Sequence, residues 1–147
     1  MAVDVVSETV INRPCEQVAG YAADPSHAPD WYVNIVSVEW LTEPPVREGS
    51  RVAFVARFLG RRLAYTYDVV EYRPGQRLVM RTAEGPFPME TTYTWRTDGA
   101  ERTRMTLRNR GEPAGFSRLA GSFVAMAMRR ANRNDLAALK ARLESTG

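Results

Sequence analysis

Residues 115–145 read "GFSRLAGSFVAMAMRRANRNDLAALKARLES", and the reading of this stretch decides the fold. No proline interrupts it, most positions are good helix formers, and it opens just after the breaker cluster "RGEPAG". The pattern predicts one long C-terminal helix. Nearly everything before it reads as strand. A long helix after a run of strands buries its apolar side across one face of a curved antiparallel sheet, which predicts an α+β architecture.

Working backwards, Gly and Pro turn chemistry in "EPPVREG", "GRR", "RPGQ", "EGPFP" and "TDGAE" separates six expected strands at Val36–Leu41, Arg51–Leu59, Leu63–Tyr72, Arg77–Ala83, Met89–Thr97 and Arg102–Asn109. Connections this short force antiparallel neighbours. Val3–Ile11, rich in β-branched residues, reads as a further strand at the start of the chain. After it, "NRPCEQVAGYAADP" predicts a short helix with Pro14 in its first turn, Asn12 or Arg13 at the cap, and an end at Asp24-Pro25. A second short helix or turn is expected around Ala28–Val33, carrying Trp31 and Tyr32.

Within the meander, alternation separates two faces. One holds Val52, Phe54, Ala56 and Phe58; Leu63, Tyr65, Tyr67 and Val69; Leu78, Met80 and Thr82; Met89, Thr91, Tyr93 and Trp95; Thr103, Met105 and Leu107. The other carries Arg51, Arg57, Asp68, Arg81, Arg96, Arg104 and Arg108. This is the pattern of a sheet with one side in water, and the arginine face reads as its solvated outer surface.

Composition bounds the rest. The 147 residues fit a single domain, 1–147, with the apolar and charged fractions of a soluble protein. The longest apolar run, Phe123–Met128, is six residues, far short of the roughly 20 needed for a membrane span. The opening "MAVDVVSETV" carries an acid where an export signal carries bases, and one cysteine suits a reducing compartment, so a cytoplasmic location is expected. Arginine supplies 19 of the 20 basic residues, scattered along the chain, and net charge is only +3; a nucleic-acid partner is not expected.

The order of elements resembles the START-like helix-grip superfamily, also called SRPBCC, which includes polyketide cyclases, lipid-transfer domains and plant pathogenesis-related allergens. "VINRPCEQVAGYAADP" looks like the family's strand-end, Pro, helix, Asp-Pro opening, and Trp31 stands near a tryptophan common after it. "YDVVEYRPGQRLVMRT" looks like its hairpin and "NDLAALKARLE" like its usual helix end. The match spans essentially the whole chain, nearest the bacterial polyketide cyclase/dehydrase-type members. One departure stands out: the bulky aromatic that usually follows the helix-one valine is Ala19 here, followed by Gly20.

The resemblance implies a curved antiparallel sheet of about seven strands wrapped around the long C-terminal helix, with two short helices after strand one. It also implies a cavity between sheet and helix. The residues expected to meet a ligand are Trp31, Phe54, Phe58, Tyr65, Tyr67, Met80, Thr82, Met89, Tyr93, Trp95, Met105 and Phe123, since aromatics with polar tips grip and orient an apolar molecule. The helix poses a difficulty, because Phe116, Leu119 and Phe123 lie nearly opposite Leu136, Leu139 and Leu143. Either the helix kinks near Met128–Asn132, or the leucine stripe continues back through Asn132, Met128, Ala125 and Gly121. The second arrangement leaves Phe116, Leu119 and Phe123 outside, an apolar patch that implies a homodimer.

Groups for catalysis are sparse. His27 with Asp30 could pair as base and orienter, but a turn-capping surface role fits His27 better, and Cys15, in a first helical turn that lowers a thiol's pKa, reads as an idle thiol. One cysteine and one histidine cannot close a zinc site, and no phosphate-cradling or dinucleotide glycine motif occurs, so neither metal nor cofactor is expected. The reading that follows is a binder of a hydrophobic small molecule such as a lipid, polyketide or aromatic metabolite. One alternative is a cyclase or dehydratase drawing on Tyr32, Tyr65, Tyr67 or Tyr93 with Arg118 turned in from the mouth. The other is a protein-interaction module using the outer face.

Overall fold

The computed structural model describes residues 3–85, 88–112 and 121–145, without the side chains of 121 and 122. Seven strands, β1 (Val3–Ile11), β2 (Ile35–Trp40), β3 (Arg51–Phe58), β4 (Arg61–Arg73), β5 (Arg77–Glu84), β6 (Met89–Thr97) and β7 (Thr103–Gly111), form one antiparallel sheet. Its order, β1-β7-β6-β5-β4-β3-β2, makes every consecutive pair from β2 onward a hairpin and brings β1 against β7. Helices α1 (Cys15–Ala22) and α2 (Ala28–Trp31), with a 3-10 turn at Pro25–His27 between them, connect β1 to β2. The long helix α3 (Gly121–Ser145) packs on the concave side.

Two local expectations are corrected. The α1 cap is Pro14, with no side-chain hydrogen bond, rather than Asn12 or Arg13. Those two residues face the other end of the chain: the Asn12 N–H donates to Glu144 at 2.7 Å, and the Arg13 guanidinium donates to the Glu144 carbonyl at 2.6 Å. The β3–β4 turn is also tighter than expected. Leu59 and Gly60 alone make it, with φ of 52° and 76°, the left-handed pair that matches strand twist, so Arg61 and Arg62 join β4.

Curvature comes from register shifts between Thr66 and Tyr67, between Val69 and Glu71, and between Ile35 and Ser37. The face read as apolar is the buried one: Val52, Phe54, Val69, Leu78, Met80, Tyr93, Trp95, Met105 and Leu107 all lie in the core. On the outer face the arginines meet carboxylates. Arg51 pairs with Asp68, Arg81 and Arg110 share Glu90, Arg104 reaches Glu8, and Arg108 holds Asp4. Such pairs contribute little each, about 0–1 kcal/mol, but they neutralise these arginines locally.

The helix takes the second of the two arrangements. It runs unbroken from Gly121 to Ser145, with Val124, Met128, Asn132, Asp135, Leu136, Leu139 and Leu143 buried along one side. Val124 and Met128 pack with Val3 and Val5 of β1, while the three leucines enter the main core. A straight helix keeps its whole hydrogen-bond ladder, and the modest side chains of the first turns fit beneath it on the sheet. Phe123 and Met126 stand outside, 54% and 59% exposed. Phe116, Leu119 and the helix start expected at Gly115 lie outside the described residues. No helix among the described residues is long and apolar enough to cross a membrane.

Gly111 closes β7 where it approaches the start of β6. A Cβ there would come within 3.0 Å of both the Met89 sulfur and the Pro88 carbonyl oxygen. Since the carbonyl is backbone, relief requires the strand ends to part, and Gly111→Ala is expected to destabilise the fold by about 1–3 kcal/mol. Urea denaturation measures it; a change under about 0.5 kcal/mol would mean these ends are loosely joined.

Candidate ligand cavity

Bending the sheet around α3 leaves a cavity of about 130 Å³ between them. Its floor is the inward phase of the meander: Phe54, Ala56 and Phe58 from β3, Leu63, Tyr65 and Tyr67 from β4, Met80 and Thr82 from β5, Met89, Thr91 and Tyr93 from β6. Asn109 adds a polar point from β7, and Tyr32, Asn34 and Ile35 close one side. The roof is Met128, Ala131, Asn132 and Asp135, one stripe of α3.

Eight of the twelve residues expected to meet a ligand line this space: Phe54, Phe58, Tyr65, Tyr67, Met80, Thr82, Met89 and Tyr93. The other four are placed differently. Trp31 and Trp95 sit a layer behind the wall, their rings 5.8 Å and 6.0 Å from that of Tyr93, which stands between them and the cavity. Trp95 and its cross-strand neighbour Met105 lie toward the end of the sheet beneath α1, where the Trp95 backbone N–H donates to the Gln76 carbonyl and the Cys15 thiol lies beside that of Gly75. Strand alternation sets a residue's face, not its depth along the strand, so these were indistinguishable from wall residues in sequence. Phe123 points away from the sheet with the outer side of α3.

The polar residues of the wall form two groups. In the first, Thr91 donates to Asn109 Oδ1 at 2.6 Å, and the Tyr67 hydroxyl lies 2.8 Å from Thr91 Oγ1. Thr91 has one proton and has already given it, so Tyr67 is the donor there. Asn109 Nδ2 in turn donates to Asn132 Oδ1 at 3.1 Å, which leaves the buried Asn132 Nδ2 without a partner among the described residues. In the second, the Tyr32 and Tyr93 hydroxyls share a short hydrogen bond, and Asp135 Oδ1 accepts from the Val33 N–H at 2.9 Å.

Burial governs the protonation of these groups. The Tyr67 hydroxyl is pushed up to about 12, and those of Tyr32, Tyr65 and Tyr93 well above the ordinary tyrosine value, because desolvation disfavours phenolate. All four stay protonated near neutrality. Desolvation also raises the Asp135 carboxyl to about 7, partly offset by the Val33 hydrogen bond. The wall thus contains a carboxyl that exchanges its proton near neutral pH, beside fixed hydroxyl donors.

Asp135 and Asn132 were missed as site residues, although their signal was visible. Both fall on the stripe of Met128, Leu136, Leu139 and Leu143, and polar residues on a buried stripe mark a polar interior. Asn34, Ile35, Ala131 and Asn109 carried no comparable signal. Elsewhere, His27 stacks on Tyr21 with ring centroids 4.0 Å apart and its Nδ1 lies 3.0 Å from the Tyr21 carbonyl oxygen, so it packs on the surface turn rather than the cavity. Desolvation raises the Cys15 thiol pKa, the reverse of what the helix-start position suggests. Arg118 lies outside the described residues.

A seven-stranded antiparallel sheet gripping a C-terminal helix over an aromatic cavity defines the START-like helix-grip class. The model of the family described as polyketide cyclase/dehydrase and lipid transport matches residues 2–144, and the chain belongs to that family. Among solved structures, a START superfamily protein from Mycobacterium smegmatis is similar at TM-score 0.84 and 15% identity, with 98% of this chain and 99% of that one covered. The Zhui aromatase/cyclase from a Streptomyces species aligns at TM-score 0.79 and 20% identity, covering 98% and 94%. A major latex-like protein from Panax ginseng follows at 0.76 and 15%, covering 96% and 97%. At these identities the likeness is one of fold. No curated protein matches the chain in sequence.

Proposed function

We propose that the protein binds a small hydrophobic molecule, ring-bearing rather than long-chained, between sheet and helix. The observation that carries this is the cavity itself: about 130 Å³ left open behind a wall of tyrosines, phenylalanines and methionines that hydrophobic packing would otherwise fill. A cavity of roughly 150 Å³ accommodates a benzene ring, so a single ring suits this space better than an extended lipid. Native mass spectrometry of protein purified from its own host tests the reading. A co-purifying apolar compound of one or two rings is expected; a bound long-chain lipid, or protein that neither carries nor takes up any small aromatic, would count against it.

Asp135 favours a second reading, acid–base chemistry on the bound molecule. A carboxyl held near 7 beside the Tyr32–Tyr93 pair can give or take a proton while the hydroxyls polarise a carbonyl. A cyclase or dehydratase of this kind is expected to lose turnover about a hundredfold in Asp135→Asn. The outer-face interaction role draws little support, because Arg51, Arg81, Arg104, Arg108 and Arg110 of that face are occupied by carboxylates. A homodimer would cover the exposed Phe123 and Met126, and sedimentation velocity would reveal it.

A further inference from the structure

The hairpin tip between β3 and β4, "RFLGRR" at residues 57–62, departs from the rest of the sheet in two ways. Three pairs of arginines stand directly opposite one another on neighbouring strands: Arg57 with Arg62, Arg73 with Arg77, and Arg96 with Arg104. Like charges so placed repel. Glu71 relieves the second pair, and Glu8 and Asp98 hold Arg104 of the third. Arg57 and Arg62 meet no carboxylate among the described residues, and the residues outside that set include no aspartate or glutamate.

The turn itself makes the second departure. A two-residue turn with both residues left-handed favours Asn or Gly, yet its first residue is Leu59, at φ 52° and 39% exposed. A leucine is thus set outward at the tip against local preference, flanked by the exposed Arg57, Arg61 and Arg62. Phe58, beside it, lines the cavity and packs against the cluster of Val3, Val5, Val124 and Met128, so the tip borders the ligand space.

We propose that the β3–β4 tip docks on the surface of an anionic phospholipid membrane, with Leu59 entering the headgroup boundary and Arg57 and Arg62 resting on the lipid anions. Charge complementarity selects an anionic partner, and the exposed leucine between the arginines favours a bilayer over a nucleic acid. An apolar ring compound concentrates in a bilayer, so docking brings the edge of the cavity to its source. That consequence, though not the docking, rests on the cavity reading.

Co-sedimentation of the full chain with vesicles tests the proposal. Binding is expected to vesicles of phosphatidylcholine mixed with phosphatidylserine, weakened by added salt, and to be far weaker to phosphatidylcholine alone. Each arginine near an anionic surface strengthens binding roughly fivefold, so Arg57→Gln combined with Arg62→Gln is expected to weaken it about 25-fold. Leu59→Asn, which suits the left-handed turn, is expected to weaken binding about fivefold while circular dichroism shows the fold retained. Equal binding to both kinds of vesicle, or undiminished binding in the double variant, overturns the proposal. So does an RNA oligonucleotide that displaces the vesicles while Leu59→Asn binds them normally, since the tip is then a general polyanion site. Toluene titrated into the same variants is expected to bind unchanged and reports on the cavity separately, so either reading can fail without the other.

Discussion

Asp135→Asn is expected to stabilise the protein in alkaline solution and to do little in acid. Aspartate in an unfolded chain titrates near 3.8, whereas the folded carboxyl titrates near 7 because burial disfavours its charge. Below pH 4 the group is protonated in both states and costs nothing. Between these values the unfolded chain sheds its proton while the folded one retains it, so stability falls as pH rises, and the loss levels off above about 7. The cost by pH 8 is on the order of 4 kcal/mol, an upper bound because water entering the cavity would solvate the charge. Asparagine keeps an oxygen for the Val33 N–H and has no proton to lose. The stability difference between variant and native protein, followed by denaturation from pH 4 to 8, should grow in the variant's favour up to about pH 7 and then level off. A flat difference would mean that Asp135 is solvated in the folded protein.

The second large effect comes from filling the cavity. Ala56 is 7% exposed and stands between the Phe54 and Phe58 positions on the β3 wall. A phenylalanine at this position has to project into the void, occupying with its own ring the space a ligand ring would take. Ala56→Phe is expected to weaken binding of toluene or of the co-purified compound about a hundredfold, near 2.7 kcal/mol, while shifting stability by no more than about 1–3 kcal/mol. Calorimetric titration alongside circular dichroism checks both. Undiminished binding to a folded variant would place the ligand elsewhere on the molecule.

The two predictions differ in how far they could have been made without coordinates. The wall was legible because a sheet with one wet face imposes a period of two on its side chains, and Phe54, Tyr67 and Tyr93 declare their face by position alone. The helix was legible only as a set of stripes. Leu136, Leu139 and Leu143 pointed to one side and Phe123 to the other, and nothing local says which side meets the sheet. Trp95 and Met105 share the apolar phase with the wall yet pack beneath α1, and Trp31 packs against Tyr93 from α2.

What the sequence determined by itself is therefore the list of elements, their antiparallel order, and the division of each strand into a wet and a dry face. Those properties depend on neighbours a few residues apart: turn chemistry, alternation and helix propensity. Tertiary structure alone decided the rest. It chose the face of α3 that enters the core, the depth at which the bent sheet fails to meet it, and the meeting of Asn132 and Asp135 with Asn109, Tyr32 and Tyr93. These are contacts between residues far apart in the chain, and their geometry follows from the curvature of the assembled sheet, which no single segment encodes.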